Sequence, residues 1–230
     1  MNLTELAQKH GTDKWGEYHR YTPLYEKHFT LFKDQRVLLL EIGVGGYDHP
    51  NQGGNSLKMW ADWFTHEESI FIGIDINEKH LKFDDKRIRV YQGNQIDGDF
   101  LEAIWKQYGD FDIIVDDGSH YPMHVIETFN ILFKKLKEGG IYVIEDTQTS
   151  YWNGPWNQNV QHNVDNPTYS YFRNIPDWIN YPEIPNGIPP NYFELYITGV
   201  HFYHNLIMIE KNLNLVPSII VPSKIKPLST

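Results

Sequence analysis

Five short apolar runs, at residues 37–40, 70–74, 88–91, 111–115 and 141–144, recur along the first two thirds of the chain. Most show no alternation of polar and apolar positions, and all are too short for a helix, as expected of strands buried on both faces of a parallel sheet. The segments between them change to helical spacing. Residues 57–64, 100–108 and the stretch carrying Val125, Ile126, Phe129 and Leu132 to Leu136 each repeat apolar residues every three or four positions, the last stopping at Gly139-Gly140. Strands alternating with helices through residues 37–144 predict an α/β fold with a doubly wound, mostly parallel sheet, Rossmann-like in class. Ligands of such sheets bind beyond the carboxyl ends of the strands.

The flanks read differently. Residues 3–9 suit a short amphipathic helix, and Thr22 is expected to cap a second helix whose first residue is Pro23, with Leu24, Tyr25, His28, Phe29 and Phe32 turned to the core. Asn55 or Ser56 is expected to cap the helix over 57–64. Residues 147–191 hold seven prolines, many asparagines and eight aromatics with little periodicity, and predict an insertion folded over the crevice as a wall or lid. Apolar residues at 194–198, 200–203 and 206–210, interrupted by His204-Asn205, predict a closing antiparallel hairpin, followed by a polar tail. The expected organisation is one domain over 1–230. N-terminal helices and a cofactor-covering loop occupy 1–35, the core 36–146, the lid 147–191, and the hairpin with its tail 192–230.

Composition narrows the partners. With 30 acidic against 20 basic residues among 230, a formal charge of −10, and no long Lys/Arg run, the chain is a poor ligand for nucleic acid. No signal peptide or membrane span is visible, so cytoplasm is the expected compartment. Cysteine is absent, which excludes disulfides, thiolate metal sites and a cysteine nucleophile. Self-association into a homo-oligomer is left open.

The polar residues at the strand ends carry the candidate chemistry. The first strand runs into Gly43-Val44-Gly45-Gly46, where the backbone can approach a ligand closely, although the G-x-G-x-x-G of a dinucleotide site is missing. Asp75 ends the second strand about 30 residues after the glycine turn begins, a spacing comparable to that of a ribose-binding carboxylate; a helix N-cap is the alternative. Gln95 could read a nucleobase edge. The fourth strand ends in Asp116-Asp117-Gly118-Ser119-His120 and the fifth in Glu145-Asp146. Carboxylates converging from two neighbouring strands repel unless they share a cation, and hard oxygen donors point to Mg²⁺, with Mn²⁺ or Ca²⁺ as alternatives. Imidazole titrates where a general base is useful, which suits His120. A zinc pair of His120 with His124 is the competing arrangement, which Pro122 disfavours by starting the helix after His120. No G-x-S-x-G elbow surrounds Ser119, and no P-loop lysine follows the glycines.

Together these motifs resemble a known family. Glu41-Ile-Gly-Val-Gly-Gly46 with Asp75 is similar to the S-adenosylmethionine site of class I methyltransferases. Gly11-Thr12-Asp13-Lys14, His19-Arg20-Tyr21-Thr22, Asp116 to His120 and Ile144 to Thr147 resemble the metal-dependent sugar O-methyltransferases of the mycinamicin type and, more distantly, the cephalosporin hydroxylase and rhamnosyl O-methyltransferase group. The likeness runs from Gly11 to about Thr149, with no counterpart expected for the large N-terminal domain of the macrolide enzyme. It implies an O-methyltransferase acting on a sugar hydroxyl of a glycan or natural product, with S-adenosylmethionine and Mg²⁺ as cofactors. By position, it implies cofactor contacts from Thr12, Lys14, Tyr21, Glu41, Gly43, Gly45, Gly54, Ser56, Asp75, Gln95 and Asp116. Asp117, Glu145 and Asp146 become the metal ligands and His120 the base. Tyr151, Trp152, Trp156 and Trp178 are candidates to stack on a sugar ring, with core packing the alternative for each. Two competing functions are a nucleotide-dependent oxidoreductase on the same sheet and a carbohydrate-binding module that keeps the fold without catalysis.

Overall fold

The computed structural model describes residues 1–16, 19–152, 167–184 and 188–214. Strands β1 (Leu38–Ile42), β2 (Ile70–Asp75), β3 (Ile88–Gln92), β4 (Phe111–Asp116) and β5 (Leu136–Ile144) run parallel, and β6 (Ile197–Tyr203) and β7 (Leu206–Lys211) close the sheet antiparallel. The order across the sheet is β3-β2-β1-β4-β5-β7-β6. The strand order therefore reverses between the parallel neighbours β1 and β4, and a crevice opens beyond Ile42 and Asp116, which pair in register. Every residue of β1 is buried, as its uninterrupted Leu-Leu-Leu-Glu-Ile required, including the carboxylate of Glu41.

Helices cover both faces and create two cores. One lies beneath α1 (Leu3–His10), α2 (Thr22–Phe29) and α3 (Asn55–Trp63) and holds Tyr25, Phe29, Trp60 and Phe64. The other lies beneath α4 (Gly98–Tyr108) and α5 (Pro122–Leu132) and is centred on Phe129. That ring meets Phe133, Tyr142 and Phe172 at centroid distances of 5.0, 5.2 and 5.1 Å. The cap expected for α4 is present, Asp97 accepting hydrogen bonds from the amides of Asp99 and Phe100.

Several local expectations are corrected. Thr22 does not cap α2; its hydroxyl lies 2.8 Å from that of Thr4. Neither Asn55 nor Ser56 caps α3, which begins after Gly54 in the left-handed region, and Ser56 instead donates to Glu41. The helix after β4 ends at Leu132, followed by a 3-10 turn, so that residues 136–140 already belong to β5. Residues 194–196 are helical within α8 (Tyr192–Tyr196), capped reciprocally by Asn191 and Glu194. In the proline-rich region, α6 (Pro167–Phe172) and α7 (Ile175–Ile179) are ordered short helices, and Phe172 and Ile175 are fully buried in the second core. Of the lid expected over 147–191, residues 153–166 and 185–187 lie outside the described residues. No helix among those described is long and apolar enough to cross a membrane.

Candidate active site

The glycine turn after β1 shapes the crevice. Gly43 has φ +82°, and a Cβ there would sit 2.0 Å from the backbone oxygen of Asp117, so the turn packs directly under the loop that follows β4. Gly54 (φ +73°) closes the far side of the turn, its amide donating to Val44 at 2.6 Å. Two cavities flank this turn. One, of about 800 Å³, is lined by Thr12, Lys14, Gly43, Gly45 and Ser56 among others. The second, of about 460 Å³, brings Asp75, Gln95, Asp117, His120 and Asp146 around Gly43 and Gly45.

Asp75 does not cap a helix, because none follows β2. Its carboxylate accepts from the amide of Val44 at 3.1 Å and of Asn77 at 2.9 Å, joining the end of β2 to the glycine turn. Gln95 uses both ends of its amide: Nε2 donates to Asp116 and Thr128, and Oε1 accepts from the Ser119 amide at 2.7 Å. Asp116 is almost fully enclosed, and burial lifts its pKa to about 7. Glu41 is wholly enclosed beneath the turn and is likewise lifted to about 7 by burial, with Lys14 opposing the shift.

Lys14 is the centre of the charge arrangement. Its ammonium lies 2.6 Å from Asp117 Oδ2, 2.7 Å from Glu145 Oε1 and 3.5 Å from Glu41 Oε1, with the side chain 2% exposed. Burial alone would lower its pKa, but Asp117, Glu145 and Glu41 together raise it well above the ordinary value, so the amine stays charged. One ammonium cannot neutralise three carboxylates, two of them buried. Burial first, and then Asp117, pushes Glu145 upward, and the Tyr25 hydroxyl donates to it. The converging carboxylates of the sequence thus already share one cation, supplied by the chain itself.

The outer carboxylates form a separate group. Asp117, His120 and Asp146 each offer a ligand-type atom, all within 4.8 Å of one another, and Glu145 is not among them. His120 Nε2 is 3.9 Å from Asp117 Oδ1 and 3.8 Å from Asp146 Oδ2. Asp146 accepts from the Tyr21 hydroxyl at 2.6 Å and lies 3.2 Å from His19 Nδ1. Burial acts to raise the Asp146 pKa, but Tyr21, His120 and His19 outweigh it, and the carboxyl titrates below its usual range. His120 (φ +57°) and Asp146 (φ +53°) both occupy the left-handed region that non-glycine residues avoid, and the Thr149 hydroxyl holds the carbonyl of His120 at 3.1 Å. His124 pairs with Ser119 instead of His120, at 2.9 Å.

The remaining candidates separate clearly. Tyr151 and Trp152 are about half exposed. Trp178 stacks on Phe193 at 5.5 Å and meets Tyr171 at 5.5 Å, so it packs with the second core. Trp156 lies outside the described residues. Sequence reasoning missed Tyr25 as the partner of Glu145; His19, visible only as part of the His19-Arg20-Tyr21-Thr22 motif, proves to be a neighbour of Asp146.

Strand order and crevice define a Rossmann-like class I methyltransferase fold with an antiparallel closing hairpin. Within that class, the chain resembles the sugar O-methyltransferases of natural-product biosynthesis over nearly all its length. It is 41% identical over 216 residues, 93% of this chain and 53% of the relative, to mycinamicin VI 2''-O-methyltransferase of Micromonospora griseorubida. It is 39% identical over 215 residues, 93% of this chain and 54% of the relative, to demethylmacrocin O-methyltransferase of Streptomyces fradiae. The MycE methyltransferase solved with Mg, SAH and mycinamycin VI superposes with a TM-score of 0.87 at 41% identity, covering 95% of this chain and 55% of that one. The chain therefore spans about half the length of the relatives it matches. No family model matches.

Proposed function

We propose that the chain is an S-adenosylmethionine- and Mg²⁺-dependent O-methyltransferase acting on a sugar hydroxyl. The observation that carries the reading is the convergence of Asp117, His120 and Asp146 on the cavity bounded by the glycine turn and Asp75. Likeness to enzymes that methylate sugars of macrolides supports the substrate class. The glycine turn and Asp75 would hold the methionine and ribose parts of the cofactor, with Gln95 against its base. Asp117 and Asp146, with Glu145 behind them, would hold Mg²⁺, since carboxylate oxygens suit that ion. When bound, the sulfonium supplies the methyl group and Mg²⁺ lowers the pKa of a coordinated hydroxyl.

His120 then takes the hydroxyl proton. Its imidazole lies between two carboxylates that stabilise the imidazolium once formed, and its backbone is fixed by Thr149. No covalent enzyme intermediate is required, so alignment of acceptor and methyl donor supplies much of the acceleration. His120 could instead serve as a metal ligand, and the experiment separates the roles. With His120→Ala, calorimetric titration should show unchanged cofactor and Mg²⁺ binding, while methyl transfer to a deoxysugar acceptor falls by about 10²–10⁴-fold. Loss of Mg²⁺ binding in that variant would make His120 a ligand and remove it as the base.

A further inference from the structure

Towards the end of the sheet away from the crevice, α2 and the closing hairpin assemble three side chains that methyl transfer does not use. In β6, His201 and Tyr203 alternate onto the face covered by α2, and in β7, Met208 and Glu210 do the same. Glu210 pairs with Ile141, near the start of the buried run of β5, whereas the crevice lies beyond Ile144. His28, His201 and Glu210 each present a ligand-type atom within 4.8 Å of the others. The two imidazoles meet edge to face with centroids 4.5 Å apart, and His201 Nε2 is 2.8 Å from Glu210 Oε1. His28 Nε2 lies 2.8 Å from the Tyr203 hydroxyl. His28 and Glu210 also line a separate cavity of about 460 Å³, through which an ion could enter.

We propose that His28, His201 and Glu210 form a second divalent-cation site, selective for Zn²⁺ over Mg²⁺, that clamps α2 to the β6–β7 hairpin. Two imidazole nitrogens and one carboxylate are the donor set of a borderline-soft ion, with bonds of about 2.0–2.2 Å and a fourth position left for water. Mg²⁺ prefers a shell of oxygens. Burial, with His201 and Lys27 adding to it, lowers the proton affinity of His28, and the neutral ring is the form that ligates. Tyr203 stands beside His28 as the outer partner that orients a ligating imidazole. The ligands come from residues 28, 201 and 210, so the ion would tie the N-terminal helices to the last strands without entering the crevice.

The test uses the full chain carrying Asp117→Asn and Asp146→Asn, which removes both carboxylates of the Asp117–His120–Asp146 cluster in the crevice. Calorimetric titration with Zn²⁺ should give one ion per chain, little response to Mg²⁺, and a raised Tm. Co²⁺ substitution should produce the visible bands of a low-coordinate nitrogen-and-oxygen site. His201→Gln, on the partly exposed edge strand, and separately Glu210→Gln should each weaken Zn²⁺ binding by about tenfold or more. Far-UV circular dichroism of both variants checks that they are folded, and His28→Gln tests the third ligand independently. Absence of Zn²⁺ binding in the doubly substituted chain, or binding that none of these folded variants weakens, would leave the cluster as a hydrogen-bonded contact and overturn the proposal.

Discussion

Lys14→Met removes one charge from the most enclosed part of the site while keeping a side chain of similar length. The ammonium has two carboxylate oxygens within 2.7 Å and a third at 3.5 Å. Deleting one partner of a buried ion pair costs about 3–5 kcal/mol, because the remaining charge is left uncompensated. Here the carboxylates can take up a proton instead, so the lower end of that range applies. In a chain of this size each kcal/mol moves Tm by about 2–4 °C, giving a fall of about 6–12 °C near neutral pH. The pH dependence follows from Glu41, whose folded pKa of about 7 lies above its ordinary 4.5. A group raised on folding contributes stability that is complete below the unfolded value and is lost as pH climbs through the folded one. Without Lys14 to oppose burial, the folded value rises further and the same window widens upward. The deficit of the variant should therefore be larger at about pH 8 than at about pH 6. Thermal denaturation followed by circular dichroism, with and without Mg²⁺, measures this, and Mg²⁺ should restore part of the loss by returning a positive charge. A Tm within about 2 °C of the parent at both pH values would refute the ammonium's role as counter-charge.

Two further variants probe the cavity beside Asp75 and the second core. Asp75→Asn keeps an acceptor for the amides of Val44 and Asn77 but removes the charge that would face the ribose, so S-adenosylmethionine affinity should drop by about tenfold in calorimetry, a charged hydrogen bond being replaced by a neutral one; an unchanged affinity would move the ribose elsewhere. Phe129→Ala opens a cavity among rings on α5, β5 and α6, and its urea midpoint should fall by the equivalent of about 3–5 kcal/mol with the m-value unchanged.

What could be read in advance followed from chain periodicity. Most of the parallel strands were visible because strands covered on both faces are apolar over several successive residues, whereas β3, at the sheet edge, is short and half-exposed; Asp75, Asp117 and Asp146 were visible because they stand at strand ends. Lys14 was visible as a candidate, but its position among the carboxylates was not. It is 103 residues from Asp117 and 131 from Glu145, and no local pattern encodes so distant a contact. Tyr25 fell at a helical core position and is indeed buried, yet its hydroxyl reaches Glu145, a contact that depends on how α2 docks. Ser56 looked like a helix cap because nothing local reveals that Glu41 is enclosed beside it. The helix at residues 192–196 carried a legible signal in Asn191 and Glu194, three apart, but the aromatic alternation after it suggested a strand instead.

The position of β7 between β5 and β6 has a consequence for biogenesis. On the ribosome β5 is complete before β7 exists, and residues 141–144, which pair with residues 207–210 in the finished sheet, must wait with one edge bare. An apolar strand with free amides and carbonyls is a template for strands of other chains. Nascent chains paused ahead of the hairpin, and truncations that remove it, are expected to bind chaperones or aggregate, although the first five strands of the sheet are already encoded in them.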